Sequence, residues 1–331
     1  SSGLRRQGAA QHRQQSRQHG QRQRQQVAQR LRQRTGVIGG FHKGAGADFE
    51  LKPELSEIES DFDAVIVATP NGLHHQGVIA AAELGKHALT EKPLDISIDA
   101  MDRMIAACKD HNVKLGVTYQ RRLSPDNIVM KKLLDEGALG RVFGADMIVE
   151  CWRDQAYYDS APYRGGKAID GGGPFIQQAA HNVDIYAWFF GRPEKTVSML
   201  GTFMHKIEGE DHGTALLRHA NGMIGVIAAS TSARPGFDPS LEIHTEKGTV
   251  IMKNDIITFW DIEGMENPSV SAGMHFHSGA GSAAVNDTGG HEAIIKDLET
   301  ALAQYRKEFA RLQSENRKPE PPSIEVSHAG I

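Results

Sequence analysis

The chain has 331 residues, of which 39% are hydrophobic and 24% are charged, and this length allows two domains with separate cores. The net charge of −4 gives no reason to expect a nucleic-acid partner, and two cysteines, Cys108 and Cys151, exclude a disulfide scaffold. Because no apolar run could span a bilayer and the N-terminus lacks an apolar signal core, we expect a cytoplasmic protein without a membrane partner.

The first 45 residues differ in composition from the rest of the chain. They are rich in Gln and Arg, and the first acidic residue is Asp48. A segment with so few apolar residues cannot build a core, so we interpret residues 1–45 as disordered or as an artefact such as a shifted reading frame. A basic arm that binds nucleic acid or an acidic surface is the alternative.

Strand and helix patterns alternate between residues 46 and 122. The continuous apolar run at 64–68 is typical of a strand buried on both faces, and Gly85 ends the helix that follows it. The predicted elements are strands at 64–68, 87–90 and 113–118 and helices at 73–84 and 97–110. This alternation predicts a parallel, doubly wound sheet.

The pattern changes after residue 123. Ser124 followed by Pro125 predicts the start of a helix that ends near Gly137, and Asn221-Gly222 between two apolar stretches is a strong hairpin signal. The predicted strands are 211–219, 223–230, 241–245, 249–253 and 256–260, and a last helix is predicted from 291 to about 315. Residues 123–331 therefore indicate an α+β domain with an open, largely antiparallel sheet, in a chain of the α/β class.

Two loops lie at the carboxyl ends of predicted parallel strands, where ligands bind in open sheets of this kind. One holds Thr69-Pro70-Asn71 with His74, and the other holds Glu91-Lys92-Pro93. A lysine at the mouth of a strand, fixed by a following proline, can point into a cleft. An isolated Lys-Pro is more often a surface turn, so this interpretation depends on further motifs.

A glycine run and a polar stripe supply those motifs. Three glycines, residues 171–173, precede a predicted helix that reaches Phe190, and they allow a ligand or another backbone to approach closely. Gln177, His181 and Asp184 are spaced i, i+4 and i+7 in a mostly apolar stretch, so we expect them on one helix face. A polar stripe on a buried helix needs partners or a wet cleft, which favours an active site over a core histidine.

In order and spacing, these motifs resemble the glucose–fructose oxidoreductase and inositol dehydrogenase family (Gfo/Idh/MocA). The resemblance covers residues 63–188 and continues more loosely to His291-Glu292. The motifs that carry it are Ala-Val-Ile-Val-Ala-Thr-Pro-Asn at 64–71, His74, Glu91-Lys92-Pro93-Leu94, the three glycines, His181 and Asp184. Each motif alone is weak, whereas the ordered set is highly specific.

The resemblance implies a dinucleotide-binding Rossmann-like domain at 46–122 that holds NAD or NADP. It also implies a substrate-binding domain at 123–331 whose open sheet commonly forms homodimers or homotetramers. In the family pattern Lys92 hydrogen-bonds the reacting hydroxyl, His181 serves as acid/base, and Gln177 occupies a third catalytic position. Cofactor contacts are implied for Thr69, Pro70, Asn71, His74, Glu91, Lys92, Gln120 and Arg164. Substrate contacts are implied for Lys92, Arg121, Tyr163, His181 and Asp184.

The sequence departs from the family in three respects. Many members carry Asp where this chain has Gln177, which can hydrogen-bond but cannot take up a proton. The nucleotide-binding fingerprint G-x-G-x-x-G is absent, so we expect an incomplete Rossmann-like sheet. The chain also stops at Ile331, soon after the point where the family adds a last helix, so we expect both termini to differ from the family.

The implied activity is hydride transfer between a nicotinamide cofactor and a hydroxyl or keto group of a sugar, sugar derivative or polyol, with Lys92 and His181 converging on one pocket. Tyrosines and arginines within 153–164 suit an acidic or nucleotide-linked sugar, or else pack a sheet edge. Two alternatives stay open, a non-catalytic dinucleotide or sugar sensor that regulates a partner and an NAD-dependent glycosidase. The histidines within 275–291 lack a carboxylate pattern, so we expect no metal site.

Overall fold

The computed structural model describes residues 62–271 and, beyond them, Ile294, Lys296 and Thr300, which are helical. The chain divides into two compact units, residues 1–117 with 311–331 and residues 118–310. We call them the N-terminal unit and the C-terminal unit. The domain boundary predicted after residue 122 stays a prediction, and the segment 1–45 lies outside the described residues.

The N-terminal unit contains a parallel sheet with helices between its strands. Strand β1 (Ala64–Val67) pairs with β2 (His87–Thr90), and β2 pairs with β3 (Leu115–Val117). Helix α1 (His74–Glu83) connects β1 to β2, and helix α2 (Ile98–Asp110) connects β2 to β3. The predicted alternation of strands and helices in a parallel sheet is therefore confirmed.

Apolar residues of β1 and α1 form the core of this unit. Val65, Val67 and Val78 are all 0% exposed and belong to one buried cluster. Helix α1 lies close to β1 because Gly77 has no side chain, and a Cβ there would lie 3.0 Å from the side chain of Val67. A 3-10 turn, Asn71–Leu73, leads from β1 into α1. The Thr69-Pro70-Asn71 loop therefore lies at the carboxyl end of β1.

The C-terminal unit contains a seven-stranded sheet in the order β10-β9-β8-β4-β7-β6-β5. Its strands are β4 (Val142–Glu150), β5 (Lys195–Gly201), β6 (His212–Arg218), β7 (Ile224–Ser230), β8 (Ser240–Thr245), β9 (Gly248–Lys253) and β10 (Ile256–Ile262). The β4–β7 pair is parallel and the other pairs are antiparallel. The helices are α3 (Pro125–Asp135), α4 (Gln155–Asp159) and α5 (Ala180–Phe190). The expected largely antiparallel sheet is confirmed.

One face of this sheet is packed against apolar side chains of α5. Alternate residues of β4, Ala145, Met147 and Val149, are buried and share a core with Ile185 and Tyr186 of α5. At the sheet centre Gly225 makes room for α5, because a Cβ there would lie 1.9 Å from the Tyr186 hydroxyl oxygen. The helix that carries His181 is therefore seated firmly on the middle of the sheet.

The opposite face carries exposed apolar side chains at its β5 end. Val197 of β5 is directly paired with Leu216 of β6, so both side chains project from the same face. Val197 is 67% exposed, Leu216 is 55% exposed, and Met199, two residues along β5, is 83% exposed. Among the described residues these side chains form an uncovered apolar stripe.

Some element boundaries differ from the predicted ones. Helix α5 begins only at Ala180, because the chain after the glycine run first forms turns in which the Ala179 N–H donates to the Pro174 carbonyl at 2.8 Å. Gln177 therefore precedes the helix, and the expected single helix face with His181 and Asp184 is wrong at that residue. Strands β4 and β5 were not predicted. The helix predicted from 291 to about 315 lies outside the described residues, apart from three helical positions.

Within the part of the chain that the structure describes, no helix has the length and apolar character needed to cross a membrane.

Candidate functional site

The two predicted cofactor loops of the N-terminal unit are joined by backbone and side-chain hydrogen bonds. The Glu91 N–H donates to the carbonyl of Val67, the last residue of β1, at 2.8 Å. Lys92 follows in the same loop, and its N–H donates to the Glu91 carboxylate at 3.2 Å. The Lys92–Pro93 peptide bond is cis, and the Lys92 side chain is half-buried. The loops that carry Thr69 and Lys92 thus form one connected group.

His74 connects these loops through its side chain. Its Nδ1 lies 2.8 Å from the Pro93 carbonyl oxygen and its Nε2 lies 2.8 Å from the Thr69 carbonyl oxygen. The side chain is 0% exposed. Carbonyl oxygens only accept hydrogen bonds, so a ring nitrogen of His74 that carries a proton donates to the carbonyl beside it. These two contacts of His74 hold the loops together, and its predicted contact with a cofactor stays a prediction.

His75, the next residue of α1, reaches the same loop at another point. Its N–H and its Nδ1 both lie near Asp95 Oδ2, at 3.2 and 2.9 Å. The other oxygen of Asp95 accepts from the backbone of Ile96 at 2.7 Å and of Ser97 at 3.3 Å. Sequence reasoning missed His75 and Asp95, and the only available signal was the pair of adjacent histidines at the start of α1.

Thr69 offers a polar atom that suits a bound nucleotide. Its Oγ1 is buried at the end of β1 and has no hydrogen-bond partner among the described residues. Buried hydroxyls normally find a partner, so an atom of this kind calls for a group that the chain itself does not supply. Pro70 and Asn71 continue the loop into the 3-10 turn. This donor fits a cofactor phosphate or hydroxyl at the predicted position.

In the C-terminal unit the glycine run packs against another stretch of backbone. A Cβ on Gly173 would lie 1.8 Å from the Glu210 carbonyl oxygen, and a Cβ on Gly209 would lie 2.7 Å from the backbone of Gly172. The sequence left open whether these glycines make room for a ligand or for another backbone segment. The structure shows that they make room for backbone. The packing sets the path of the chain that leads to His181.

Gln177 lies in the turns between the glycine run and α5. Its Nε2 donates to the carbonyl oxygen of Asp170 at 2.5 Å. The Asp170 carboxylate accepts from the Gly165 N–H at 2.8 Å. Gln177 thus ties the segment before α5 to the start of the glycine run, and its predicted catalytic position stays a prediction.

His181 lies in the first turn of α5 beside an aromatic ring. The Tyr119 ring meets the imidazole edge-on, with 6.0 Å between the ring centroids. Burial, with a further contribution from Asp184, raises the pKa of Tyr119 to about 12, so its hydroxyl keeps its proton at neutral pH. Sequence reasoning missed Tyr119, since a lone tyrosine at the end of a predicted strand gives no signal.

Asp184, three residues after His181, is engaged by an arginine. Arg122 donates through Nε to Oδ2 at 2.8 Å and through Nη2 to Oδ1 at 2.5 Å, a bidentate pair. The same guanidinium lies 5.9 Å from the Tyr119 ring centroid and 5.5 Å from that of Trp188. Both oxygens of Asp184 thus face Arg122, which indicates that this carboxylate orients α5. The substrate contact predicted for Asp184 stays a prediction.

A second polar group surrounds Tyr157. Its hydroxyl accepts from Arg164 Nη1 at 3.0 Å and from Gln178 Nε2 at 3.3 Å. The guanidinium carbons of Arg164 and Arg153 lie 4.7 and 5.3 Å from its ring centroid. Two cations against one ring create a positive region that suits an anionic group. Tyr163, predicted to contact substrate, is half-buried just before Arg164.

Several residues with implied ligand contacts hold buried polar atoms that lack a partner in the described part of the chain. In the C-terminal unit these atoms are Gln120 Oε1, Arg121 Nη1 and Arg164 Nε, and the N-terminal unit adds Thr69 Oγ1. Arg121 Nε does form an ion pair with Asp255 at 3.5 Å. Similar atoms occur on Asn127, Gln178, Asn254 and Ser271, where no ligand contact is implied. At the four implied ligand residues such an atom is one to which a bound ligand could form a hydrogen bond.

Family models match both units. Residues 8–119 match the model described as the oxidoreductase family with an NAD-binding Rossmann fold, and residues 128–251 match the GFO/IDH/MocA C-terminal domain. The chain belongs to the Gfo/Idh/MocA oxidoreductase family. The N-terminal match begins at residue 8, inside the segment that composition sets apart, and the interpretation of that segment stays a prediction.

Individual Gfo/Idh/MocA proteins are similar to this chain over part of their length. Inositol 2-dehydrogenase of Rhizobium meliloti is 28% identical over 207 residues, covering 60% of this chain and 59% of its own. Levoglucosan dehydrogenase of Pseudarthrobacter phenanthrenivorans is 27% identical over 218 residues, covering 58% and 56%. This member of the family thus spans less than two thirds of the length of these relatives.

Among solved structures, the WlbA dehydrogenase of Bordetella pertussis in complex with NADH and UDP-GlcNAcA is similar to this family member. The two share 34% identity and a TM-score of 0.60, with 63% of this chain and 64% of the other covered. Levoglucosan dehydrogenase in complex with NADH and L-sorbose gives 28% identity and a TM-score of 0.55, with 59% and 55% covered.

Proposed function

We propose that the protein is an NAD(P)-dependent oxidoreductase that acts on a hydroxyl or keto group of a sugar, sugar derivative or polyol. The observation that carries the proposal is the set of unpartnered buried polar atoms at implied ligand residues, on Thr69, Gln120, Arg121 and Arg164. Family membership and relatives named as dehydrogenases of inositol and levoglucosan support the same reaction type.

The proposed mechanism assigns the reacting hydroxyl and its proton to two side chains of the protein. A bound nicotinamide supplies hydride acceptance or donation at carbon. Lys92 binds the reacting hydroxyl, and His181 takes or returns its proton, with Gln177 orienting but not titrating. An acid/base group in this position contributes about 10² to 10⁴-fold in rate. Thr69, Pro70, Asn71, Glu91, Gln120 and Arg164 hold the cofactor, and Arg121, Tyr163 and Asp184 complete the substrate site.

Replacement of Lys92 by alanine tests this mechanism. We expect Lys92→Ala to lower turnover by about 10² to 10⁴-fold, because the hydroxyl loses its binding partner, while NADH still binds. Turnover is measured as cofactor reduction with myo-inositol, levoglucosan and UDP-GlcNAcA, and cofactor binding is measured by calorimetry. Lys109→Ala, on the exposed end of α2, is the matched control. Unchanged turnover in Lys92→Ala would remove Lys92 from the mechanism.

We propose an acidic or nucleotide-linked sugar as the preferred substrate class. The support is the positive group of Arg153 and Arg164 around Tyr157, together with the UDP-GlcNAcA complex of the WlbA relative. In the substrate screen this proposal predicts the highest kcat/KM for UDP-GlcNAcA, the acidic sugar nucleotide. Equal kcat/KM values for the neutral myo-inositol and levoglucosan would contradict it. Release of hydrolysed sugar without net cofactor reduction would instead indicate a glycosidase.

A non-catalytic sensor of a dinucleotide or sugar is the second candidate, and the amide at Gln177 in place of a titratable group favours it. Cofactor binding without turnover of any sugar in the screen would support the sensor.

We also propose that the protein works in the cytoplasm. The reduced state of Cys108 and Cys151, which are both buried free thiols, supports that location.

We propose that the protein forms a homodimer or homotetramer through the uncovered face of its C-terminal sheet. The exposed stripe of Val197, Met199 and Leu216 supports this, because contiguous apolar patches on a sheet face commonly mark protein–protein contacts.

A further inference from the structure

The first two residues of α1, His74 and His75, stand out because both side chains bind the loop that carries Lys92. His74 lies 2.8 Å from the Pro93 carbonyl oxygen, immediately after Lys92. His75 lies 2.9 Å from the Asp95 carboxylate, three residues after Lys92. The loop is thus held to the start of a regular helix at two separate points.

His74 also reaches the other cofactor loop. His74 Nε2 lies 2.8 Å from the Thr69 carbonyl oxygen, at the carboxyl end of β1. Helix α1 itself is seated against β1 through Gly77, so the histidines project from a fixed base. A displacement of His74 would therefore move the backbone of Thr69 and of Pro93 together.

We propose that His74 and His75 are positioning residues that hold Lys92 in its working place. The inference rests on the proposed role of Lys92 in the reaction. Neither histidine is a catalytic residue, since His74 is fully buried and acts through two backbone carbonyls. Precise placement matters because a shift of about 1 Å in a catalytic group can cost about 10²-fold in rate.

The roles of the two residues differ in how far they support the loop. His74 contacts backbone on both sides of the site through its two ring nitrogens, whereas glutamine has one side-chain nitrogen and cannot occupy both positions. His75 is partly exposed, with 18% of its side chain accessible, and fixes only the Asp95 end. We expect the larger effect from His74→Gln and a smaller effect in the same direction from His75→Gln.

The reactivity of the Lys92 amine tests the proposal without knowledge of the substrate. The full-length protein is labelled with trace acetic anhydride over a range of pH, and mass spectrometry gives the rate at each lysine. We expect the labelling rate of Lys92 in His74→Gln to rise towards that of the exposed Lys109, because the half-buried Lys92 amine becomes more accessible when its loop is released.

Kinetics with any substrate found in the screen provide a second readout. We expect kcat of His74→Gln to fall by about tenfold or more, with a smaller change in the substrate KM, because the Lys92 amine is displaced while Arg121, Tyr163 and Asp184 still bind the substrate. His111→Gln is the matched control, since His111 is exposed and its ring contacts the Ala107 carbonyl of the helix that it follows. A merely structural role would lower stability without moving the labelling profile of Lys92.

The outcomes are distinct from those of the proposed function. If His74→Gln does not fold, His75→Gln, at a partly exposed position, still tests the proposal through the labelling of Lys92. A Lys92 profile identical to wild type in every variant that folds, with unchanged kcat, overturns the inference. Normal turnover of Lys92→Ala contradicts the proposed function but leaves the labelling result unaffected.

Discussion

Asp126, the second residue of α3, is a buried carboxylate that joins the helix to distant backbone. It accepts from the Ile257 N–H at 2.9 Å, from the Ser269 hydroxyl at 2.7 Å and from the N–H groups of Val270 and Ser271 at 3.0 and 3.1 Å. Burial raises the pKa of Asp126, but these four hydrogen bonds outweigh it and hold the pKa below the ordinary value of 3.8.

The sign of this shift predicts how stability changes with pH. A carboxylate with a lowered native pKa stabilises the fold above its unfolded pKa, and that contribution is lost as the pH falls below 3.8 through the native value. We expect Asp126→Asn to lower the free energy of unfolding at neutral pH by about 1–3 kcal/mol. The difference from wild type should shrink at acid pH, as measured by urea unfolding. Asp135→Asn, on the exposed end of the same helix, should show neither effect.

At the residue scale, the sequence predicts candidate side chains but not what they contact. Lys92 and His181 stand out because they interrupt apolar patterns at strand and helix ends. Tyr119 and Arg122 could not be found, since Arg122 resembles one more solvated cation until its partner, 62 residues further on, is known. Pairings between distant side chains depend on the fold and have no local signature.

At the element scale, the Arg122–Asp184 pair fixes α5 to the segment that follows β3. The side chains are 22% and 10% exposed, so little water screens the pair. A double-mutant cycle of Arg122→Gln and Asp184→Asn, followed by urea unfolding, measures their coupling. We expect a coupling free energy of about 1–3 kcal/mol for Arg122 and Asp184. The exposed Arg141–Glu246 pair, taken as control, should give about 0.2–1 kcal/mol. A coupling no larger than the control value would show that Arg122 does not fix the helix.

The elements differ in how visible they are in sequence. Strands β1 and β7 are apolar runs, and β8 alternates buried residues with polar ones. Gly222, with φ +85°, lies in the predicted hairpin turn before β7. Strand β4 was missed because Gly144 and Asp146 occupy its outward positions and interrupt the apolar pattern. Strand β5 was missed because nearly all its residues are exposed, so no buried side shows as a period of two.

At the scale of the whole molecule, the uncovered sheet face predicts self-association. We expect the double substitution Val197→Lys with Leu216→Lys to convert the oligomer to a monomer, because two paired ammonium groups would have to lose water in the interface. Light scattering after size-exclusion chromatography measures the mass. Ile98→Lys, which adds a charge at an exposed apolar residue of the N-terminal unit, should leave the oligomer unchanged. A monomeric wild-type protein would contradict the prediction.

The order of the predicted elements was sufficient for the fold class and family of the molecule. Alternating strands and helices followed by hairpins is a pattern carried by many residues, so errors at single boundaries did not matter. The start of α5 was misplaced because Pro174 and the glycines before it form turns through backbone contacts with residues 209–210.

The close contact between backbone segments at Gly173 has a consequence for redesign of the protein. Main chain lies against main chain there, with no volume for even a methyl group. Mutant libraries intended to broaden the range of substrates should therefore keep the glycines at 172, 173 and 209 unchanged. They should vary side chains around Tyr157, where shape and charge can change without altering the path of the chain that leads to His181.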